Sequence, residues 1–148
     1  REMYTCMPAT NNFFMVGNMG GALSVGLGMA KAGKKIIVCG GDAEFAMHMG
    51  GLTTAGRYAN QVDLTYILFD NEQNKSTGGQ NTYQDHLDYI GIAKSAGFST
   101  INTTIRSLND FKVRFKNIKG LKFFCIKCGI DDETPRPPLD IVKVNKFI

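Results

Sequence analysis

Two short apolar runs constrain this chain most: residues 35–40, with Ile36, Ile37 and Val38 at the centre, and Leu64-Thr-Tyr-Ile-Leu-Phe-Asp70. Each has the length and β-branched or aromatic content of a buried strand. Residues 45–58 between them have the length of one crossover helix, so the segment reads as β-α-β. Such a unit is parallel and right-handed, and it delivers the carboxyl ends of both strands to one edge of the sheet. At those ends stand Gly41-Asp42-Ala43 and, 26 residues later (positions 44 to 69), Asp70-Asn71. A carboxylate and an amide oxygen therefore meet where open parallel sheets bind ligands, beside a helix start whose unpaired N–H groups favour an anion. Mg²⁺ takes oxygen ligands in octahedral geometry, using one or two protein groups plus substrate phosphates. Asp42, Asn71 and a nearby backbone carbonyl suit such an ion when it bridges a diphosphate.

The rest of the chain continues the alternation. Residues 84–96 carry Leu87, Ile90 and Ala93 at helical spacing and end at Gly97, a C-cap. Residues 99–104 read as a strand, 108–115 as a helix opened by Ser107, and 121–127 as another strand. With a short strand at 13–16 this predicts an α/β fold, three-layer and doubly wound, with a mainly parallel sheet and helices on both faces. One domain, residues 1–130, and a polar, proline-bearing C-terminal arm, 131–148, account for 148 residues.

Several classes are excluded. A net charge of +4 comes from basic residues that are spread out, with only 112–127 enriched and there alternating with Phe, Val and Ile. That is a solvated helix face and strand edge, not a groove that tracks nucleic-acid phosphates. No run reaches a membrane span and no signal pattern opens the chain, so a cytoplasmic setting is expected. An opening at Arg1 with Met3 inside reads as a fragment or a processed piece. Cys6, Cys39, Cys125 and Cys128 read as reduced structural thiols, because Cys125 and Cys128 form a lone C-x-x-C that His48 and His86 are not spaced to complete. Gly28-Met-Ala-Lys-Ala-Gly33-Lys34-Lys35 imitates a P-loop, yet Lys35 stands where a hydroxyl must bind Mg²⁺ and a strand follows instead of a helix. No G-x-G-x-x-G follows a predicted strand, which removes a nicotinamide or flavin fingerprint.

Gly41-Asp42-Ala43 and Asn71 together resemble the diphosphate-binding motif of thiamine diphosphate (ThDP) enzymes, a Gly-Asp-Gly triplet followed by a terminal Asn. Ala43 replaces the last Gly, a mild change if φ is negative there and a strained one if φ is positive. Upstream, Phe13-Phe-Met-Val-Gly-Asn-Met-Gly-Gly-Ala22 and the helix after it resemble the cofactor turn of the same enzymes. Downstream, Asp70-Asn-Glu-Gln-Asn-Lys-Ser-Thr-Gly-Gly-Gln80 and Ala46-Met-His-Met-Gly50 resemble the phosphonopyruvate decarboxylase family, of which sulfopyruvate decarboxylase is a close relative.

The resemblance implies a ThDP-binding fold with ThDP and Mg²⁺ as cofactors. It implies cofactor contacts at Gly17, Asn18, Met19, Gly41, Asp42, Ala43, Glu44, Asn71, Ser76 and Thr77. Within these, the Gly17 carbonyl would accept from the aminopyrimidine and Met19 would hold the cofactor bent. The metal ligands it implies are Asp42, Asn71 and the Gln73 carbonyl, with Lys75 and Gln80 toward a 2-oxo acid substrate. The implied activity is that of a carbon–carbon lyase turning phosphonopyruvate into phosphonoacetaldehyde and CO₂. The pyrimidine-binding half, which would carry the activating Glu, is absent from this chain, so no catalytic residue is assigned and a partner domain or subunit in a homo- or hetero-oligomer is implied. A sulfopyruvate decarboxylase beta-type subunit is the nearest alternative; a non-catalytic scaffold subunit is the alternative of another class.

Simpler readings stand beside these. Asp42 can serve as a helix cap, Asn71 as a turn residue, and 76–80 as a flexible connector. His48 is read equally as a packed, hydrogen-bonded side chain and as one facing substrate. Met47 and Met49 are expected in the core.

Overall fold

The computed structural model describes residues 2–7, 11–116 and 120–129. Internal contacts divide the chain into two units, Arg1–Met19 with Gly129–Ile148, and Gly20–Cys128. In the first, Tyr4 of helix α1 (Glu2–Cys6) meets Phe14 edge to face at 5.5 Å, and the Asn12 amide donates to the Met7 carbonyl. The strand expected at 13–16 does not form. Four apolar residues in a row do not distinguish a strand from a loop that partly covers one ring, as happens to Phe14. The expected arm at 131–148 lies outside the described residues.

The second unit is built on a parallel sheet. Strands β1 (Lys35–Gly41), β2 (Asp63–Asp70), β5 (Ser99–Thr100) and β6 (Lys122–Lys127) lie in the order β1-β2-β6-β5, all parallel. Between β2 and β5 a two-stranded hairpin, β3 (Gln73–Asn74) and β4 (Gln80–Asn81), occupies the stretch read as a connector.

Side chains alternate across the sheet, so β2 sends Leu64, Tyr66 and Leu68 to one face and Thr65 and Ile67 to the other. On the first face these three pack with Val38, Phe123 and Cys125 beneath helices α2 (Ala22–Lys31), α3 (Asp42–Met47), α4 (Gly50–Arg57) and α5 (Tyr89–Ser95). Phe45, Tyr66, Phe98 and Phe123 form its aromatic centre, with ring centroids 5.6–6.2 Å apart. Burying each such ring contributes roughly 1.5–3 kcal/mol. Helix α6 (Leu108–Phe115) covers the second face, where Phe111 and Phe115 pack on Phe124. It leaves Ile37 of β1 53% exposed, along with Cys39 and Phe69.

Local signals explain most boundaries. Ser107 caps α6 by accepting from the Asp110 amide, as read from the sequence. Gly97, with φ +100°, follows α5 and donates to the Lys94 carbonyl. Three elements differ from expectation. The single helix over 45–58 is two helices, because His48 leaves helical geometry (φ −140°, ψ 46°) and Gly50-Gly51 resist continuation. The helix over 84–96 begins only at Tyr89, where Asp88 caps it by accepting from the Gly91 amide. The strand over 99–104 pairs for two residues, bends at 102–103, and rejoins β6 only where Ile105 bridges Ile126.

Candidate functional site

Register places the two motif ends side by side. Gly41 pairs with Phe69, so the residues just beyond, Asp42 and Asp70-Asn71, leave adjacent strands at the same edge. Gly41 takes extended geometry (φ −97°, ψ 168°) and is itself the N-cap of α3, which therefore starts at Asp42 and not at Phe45. No side chain caps this helix, so the capping role for Asp42 does not apply. Asp42 and Glu44 lie in its first turn, where the helix dipole favours negative charge. Ala43 is buried within the helix and outside the positive-φ region. Replacing glycine there adds a methyl without backbone strain.

Asp42 is 1% exposed. Its Oδ2 accepts a hydrogen bond from the Thr82 hydroxyl at 2.6 Å, and its Oδ1 has no partner among the described residues. A buried carboxylate oxygen without a partner carries a heavy desolvation cost. The other acid at this edge is already engaged: Asp70 accepts from the Lys127 ammonium at 3.0 Å and from the Glu72 amide. Lys127 also reaches Glu72, and these two carboxylates hold it above its ordinary pKa against the lowering effect of its own desolvation. The Tyr89 phenol is pushed upward, first by burial and then by the charges of Asp70 and Asp42, and donates to Gln84 at 3.0 Å.

Asn71 uses Oδ1 to accept from the Gln73 amide at 3.1 Å, an Asx turn that leaves one lone pair on that oxygen. Gln73 then enters the hairpin opposite Asn81. The donor set of one acid, one amide oxygen and one carbonyl is all oxygen, which suits a hard divalent cation, and the open Asp42 Oδ1 is where such an ion would relieve an existing cost. Among the described residues no group of three or more His, Cys, Asp or Glu is arranged to hold a metal.

Other expected residues have more local roles in this structure. The Glu44 side chain turns inward beside Gly40, where a Cβ would collide with both the Glu44 carboxylate and the Tyr66 hydroxyl. Burial raises the Glu44 pKa, while hydrogen bonds from Tyr66 and the Ala22 amide oppose that rise. His48 is hydrogen-bonded through Nδ1 to the Gly20 carbonyl at 3.1 Å. Met47 is 59% exposed and Met49 is exposed, against the core placement expected for both. In the hairpin, Ser76 donates to Asn74, Thr77 and Gln80 bond each other, and the Gln80 amide returns to the Thr77 carbonyl. Lys75 lies in the same turn. Gly17, Asn18 and Met19 belong to the first unit, where Gly17 has φ +75° and Met19 is exposed. Cys125 is buried and its thiol is pushed up to about 11, first by burial, which keeps it protonated and unreactive. Thr82 is the residue that sequence reasoning missed: it stands 40 positions from Asp42, and no local pattern connects them.

Comparisons with known proteins agree with this geometry. The model of the family described as thiamine pyrophosphate enzyme, C-terminal TPP binding domain, matches residues 2–127. Sulfopyruvate decarboxylase subunit beta of Methanocaldococcus jannaschii is 39% identical over 119 residues, 79% of this chain and 62% of that protein. Phosphonopyruvate decarboxylase of Streptomyces viridochromogenes is 35% identical over 151 residues, 99% of this chain and 38% of that protein. The chain thus spans less than two thirds of the length of these curated relatives. A solved chain from Mycobacterium smegmatis, described as thiamin diphosphate-dependent, superposes with a TM-score of 0.63 at 18% identity, covering 78% of this chain and 23% of that one. That likeness shows the fold. No helix among the described residues is long and apolar enough to cross a membrane.

Proposed function

We propose that this chain, which belongs to the family of C-terminal TPP binding domains of thiamine pyrophosphate enzymes, supplies the diphosphate-holding half of a cytoplasmic, ThDP- and Mg²⁺-dependent 2-oxo acid decarboxylase. The observation that carries this reading is the buried Asp42 carboxylate just beyond the end of β1, with one oxygen bonded to Thr82 and the other buried without a partner among the described residues. Asp42 Oδ1, Asn71 Oδ1 and the Gln73 carbonyl would hold the cation, which would supply the positive charge that anchors a diphosphate. Register sets Asp42 and Asn71 just beyond the ends of adjacent strands, and Gln73 opens the hairpin that follows. Lys127 neutralises Asp70, which leaves Asp42 as the carboxylate with an open oxygen. On the hairpin turn, Ser76 and Thr77 would contact the cofactor, with Lys75 and Gln80 toward an anionic substrate. Bound there, ThDP supplies the electron sink that a 2-oxo acid needs to lose CO₂. The activating Glu and the pyrimidine-binding surface come from a second domain or subunit.

For the substrate, phosphonopyruvate is our first assignment, supported by the S. viridochromogenes relative that aligns along 99% of this chain. Sulfopyruvate is the second, supported by relatives named as separate beta subunits. Both place a doubly or singly charged tail beside the keto acid, so one experiment addresses both. The full chain, combined with a pyrimidine-binding partner, ThDP and Mg²⁺, is offered each keto acid while CO₂ release is followed. Release from either one, lost on chelation of Mg²⁺, is expected. An assembled complex that binds Mg²⁺-ThDP and decarboxylates neither would contradict the substrate class. A complex that binds no Mg²⁺-ThDP would point to a scaffold subunit.

A further inference from the structure

The structure assigns Thr82 a positioning role: its hydroxyl selects which Asp42 oxygen is left for the divalent cation and couples that carboxylate to the β3–β4 hairpin. This rests on the reading that Asp42 holds the cation. A carboxylate on a short side chain rotates through a broad, roughly two-fold torsion, so burial alone does not decide which oxygen is offered. Here the 2.6 Å bond from Thr82 Oγ1 takes Oδ2, at the short distance typical of a hydroxyl donating to a charged oxygen. By elimination Oδ1 is the oxygen without a partner among the described residues.

Thr82 is itself held. Its backbone amide donates to the Glu72 carbonyl at 3.0 Å across the root of the hairpin, one step outside the Gln73–Asn81 pair. Just outside that root stand Glu72 (φ +59°) and Tyr83 (φ +51°), the two non-glycine residues with positive φ among those described. Left-handed backbone at bulky residues costs free energy and persists where surrounding contacts over-determine it. Those contacts are visible: Glu72 pairs with Lys127, and the Tyr83 amide donates to the Asn81 side chain at 2.6 Å. The strained positions therefore fix both ends of a ten-residue segment, 73–82, that carries the Gln73 carbonyl at one end and the Thr82 hydroxyl at the other. Whatever this hairpin contributes to cation affinity, the bound cation must contribute to hairpin order in equal measure.

The test uses the full chain assembled with its pyrimidine-binding partner, and two readouts. Calorimetry measures ThDP affinity with Mg²⁺ and with chelator, and amide hydrogen exchange follows residues 73–82. Mg²⁺-ThDP is expected to slow exchange across 73–82 in the wild type and in Thr82→Ser. Thr82→Val, which keeps the branched shape without a donor, is expected to lose about tenfold or more in Mg²⁺-dependent affinity, as outer contacts to metal ligands typically do, and to lose the slowing. Should Thr82→Val lose cooperative thermal unfolding, Thr82→Ala is compared with Thr82→Ser on the same readouts, and equality of the two overturns the assignment. Wild-type affinity in Thr82→Val, with Asp42→Ala unable to bind, removes the role of Thr82 and leaves the cation site standing. Binding by Asp42→Ala equal to the wild type, or wild-type binding of ThDP that ignores Mg²⁺, overturns the underlying reading and this one with it.

Discussion

Asp42→Ala is expected to abolish Mg²⁺-dependent ThDP binding, with a loss of roughly 100-fold or more in affinity, while the protein remains folded. Among the described residues the side chain makes a single hydrogen bond, to Thr82, and its Oδ1 makes none. A purely structural buried acid would be expected to satisfy both oxygens, because an open one costs about 1–3 kcal/mol. The structure bears that cost at the sheet edge where a cation would relieve it, a pattern of strain held at a functional position. Asp42→Asn gives the companion result. Without cation, a neutral amide is cheaper to bury than an under-bonded carboxylate, so the thermal midpoint should stay level or rise even as cofactor binding is lost. A marked fall in midpoint with retained affinity would show that Asp42 serves the fold instead.

Gly56→Ala is expected to destabilise the chain by up to about 2 kcal/mol, against the sign that helix propensity alone predicts. In an open helix that change gains roughly 1 kcal/mol. In α4, however, a Cβ on Gly56 would fall on the carbonyl oxygen of Ala96, with the Gly97 Cα also within 3.6 Å. The obstruction is backbone at the end of α5, not the tip of a flexible side chain, so helix or loop must shift, and such overpacking costs about 1–3 kcal/mol or more. Gly28→Ala in α2 is the control. Nothing lies within 4 Å of a Cβ there, and a gain of about 0.5–1 kcal/mol follows. Urea denaturation of both variants reads the difference directly; a stabilised Gly56→Ala would mean that α4 and the end of α5 do not pack as described.

These two residues mark the limits of what could be read from sequence. The strands that carry the motif were legible because their apolar runs stop on Gly41-Asp42 and Asp70-Asn71, and side-by-side pairing then followed from β-α-β geometry. Ser107 was legible as a cap because capping is local, decided within three residues. Features that depend on distant partners left no such trace. The helix break at His48 accompanies a ring bond to the Gly20 carbonyl, 28 positions away. Gly56 reads as a weak helix residue until Ala96 is seen against it. The run Ile36-Ile37-Val38 is apolar throughout, so alternation could not reveal that Ile37 faces outward while Val38 is buried. At the site, Asp42 and Asn71 came from spacing, whereas Thr82 became visible only through the hairpin that returns it to Asp42. Ala43 was ambiguous in sequence and became benign once its helical backbone was known.

The central claim is that one divalent cation sits against Asp42 and Asn71 and anchors the cofactor diphosphate. Crystals of the chain grown with ThDP and Mn²⁺ in place of Mg²⁺ allow the ion to be located by its anomalous scattering. A single strong peak within about 2–2.5 Å of Asp42 Oδ1 is expected, with Asn71 Oδ1 and the Gln73 carbonyl completing the protein ligands and diphosphate oxygens on the far side. A peak bound by other residues, or ThDP seated at this edge with no ion between its diphosphate and Asp42, would contradict it.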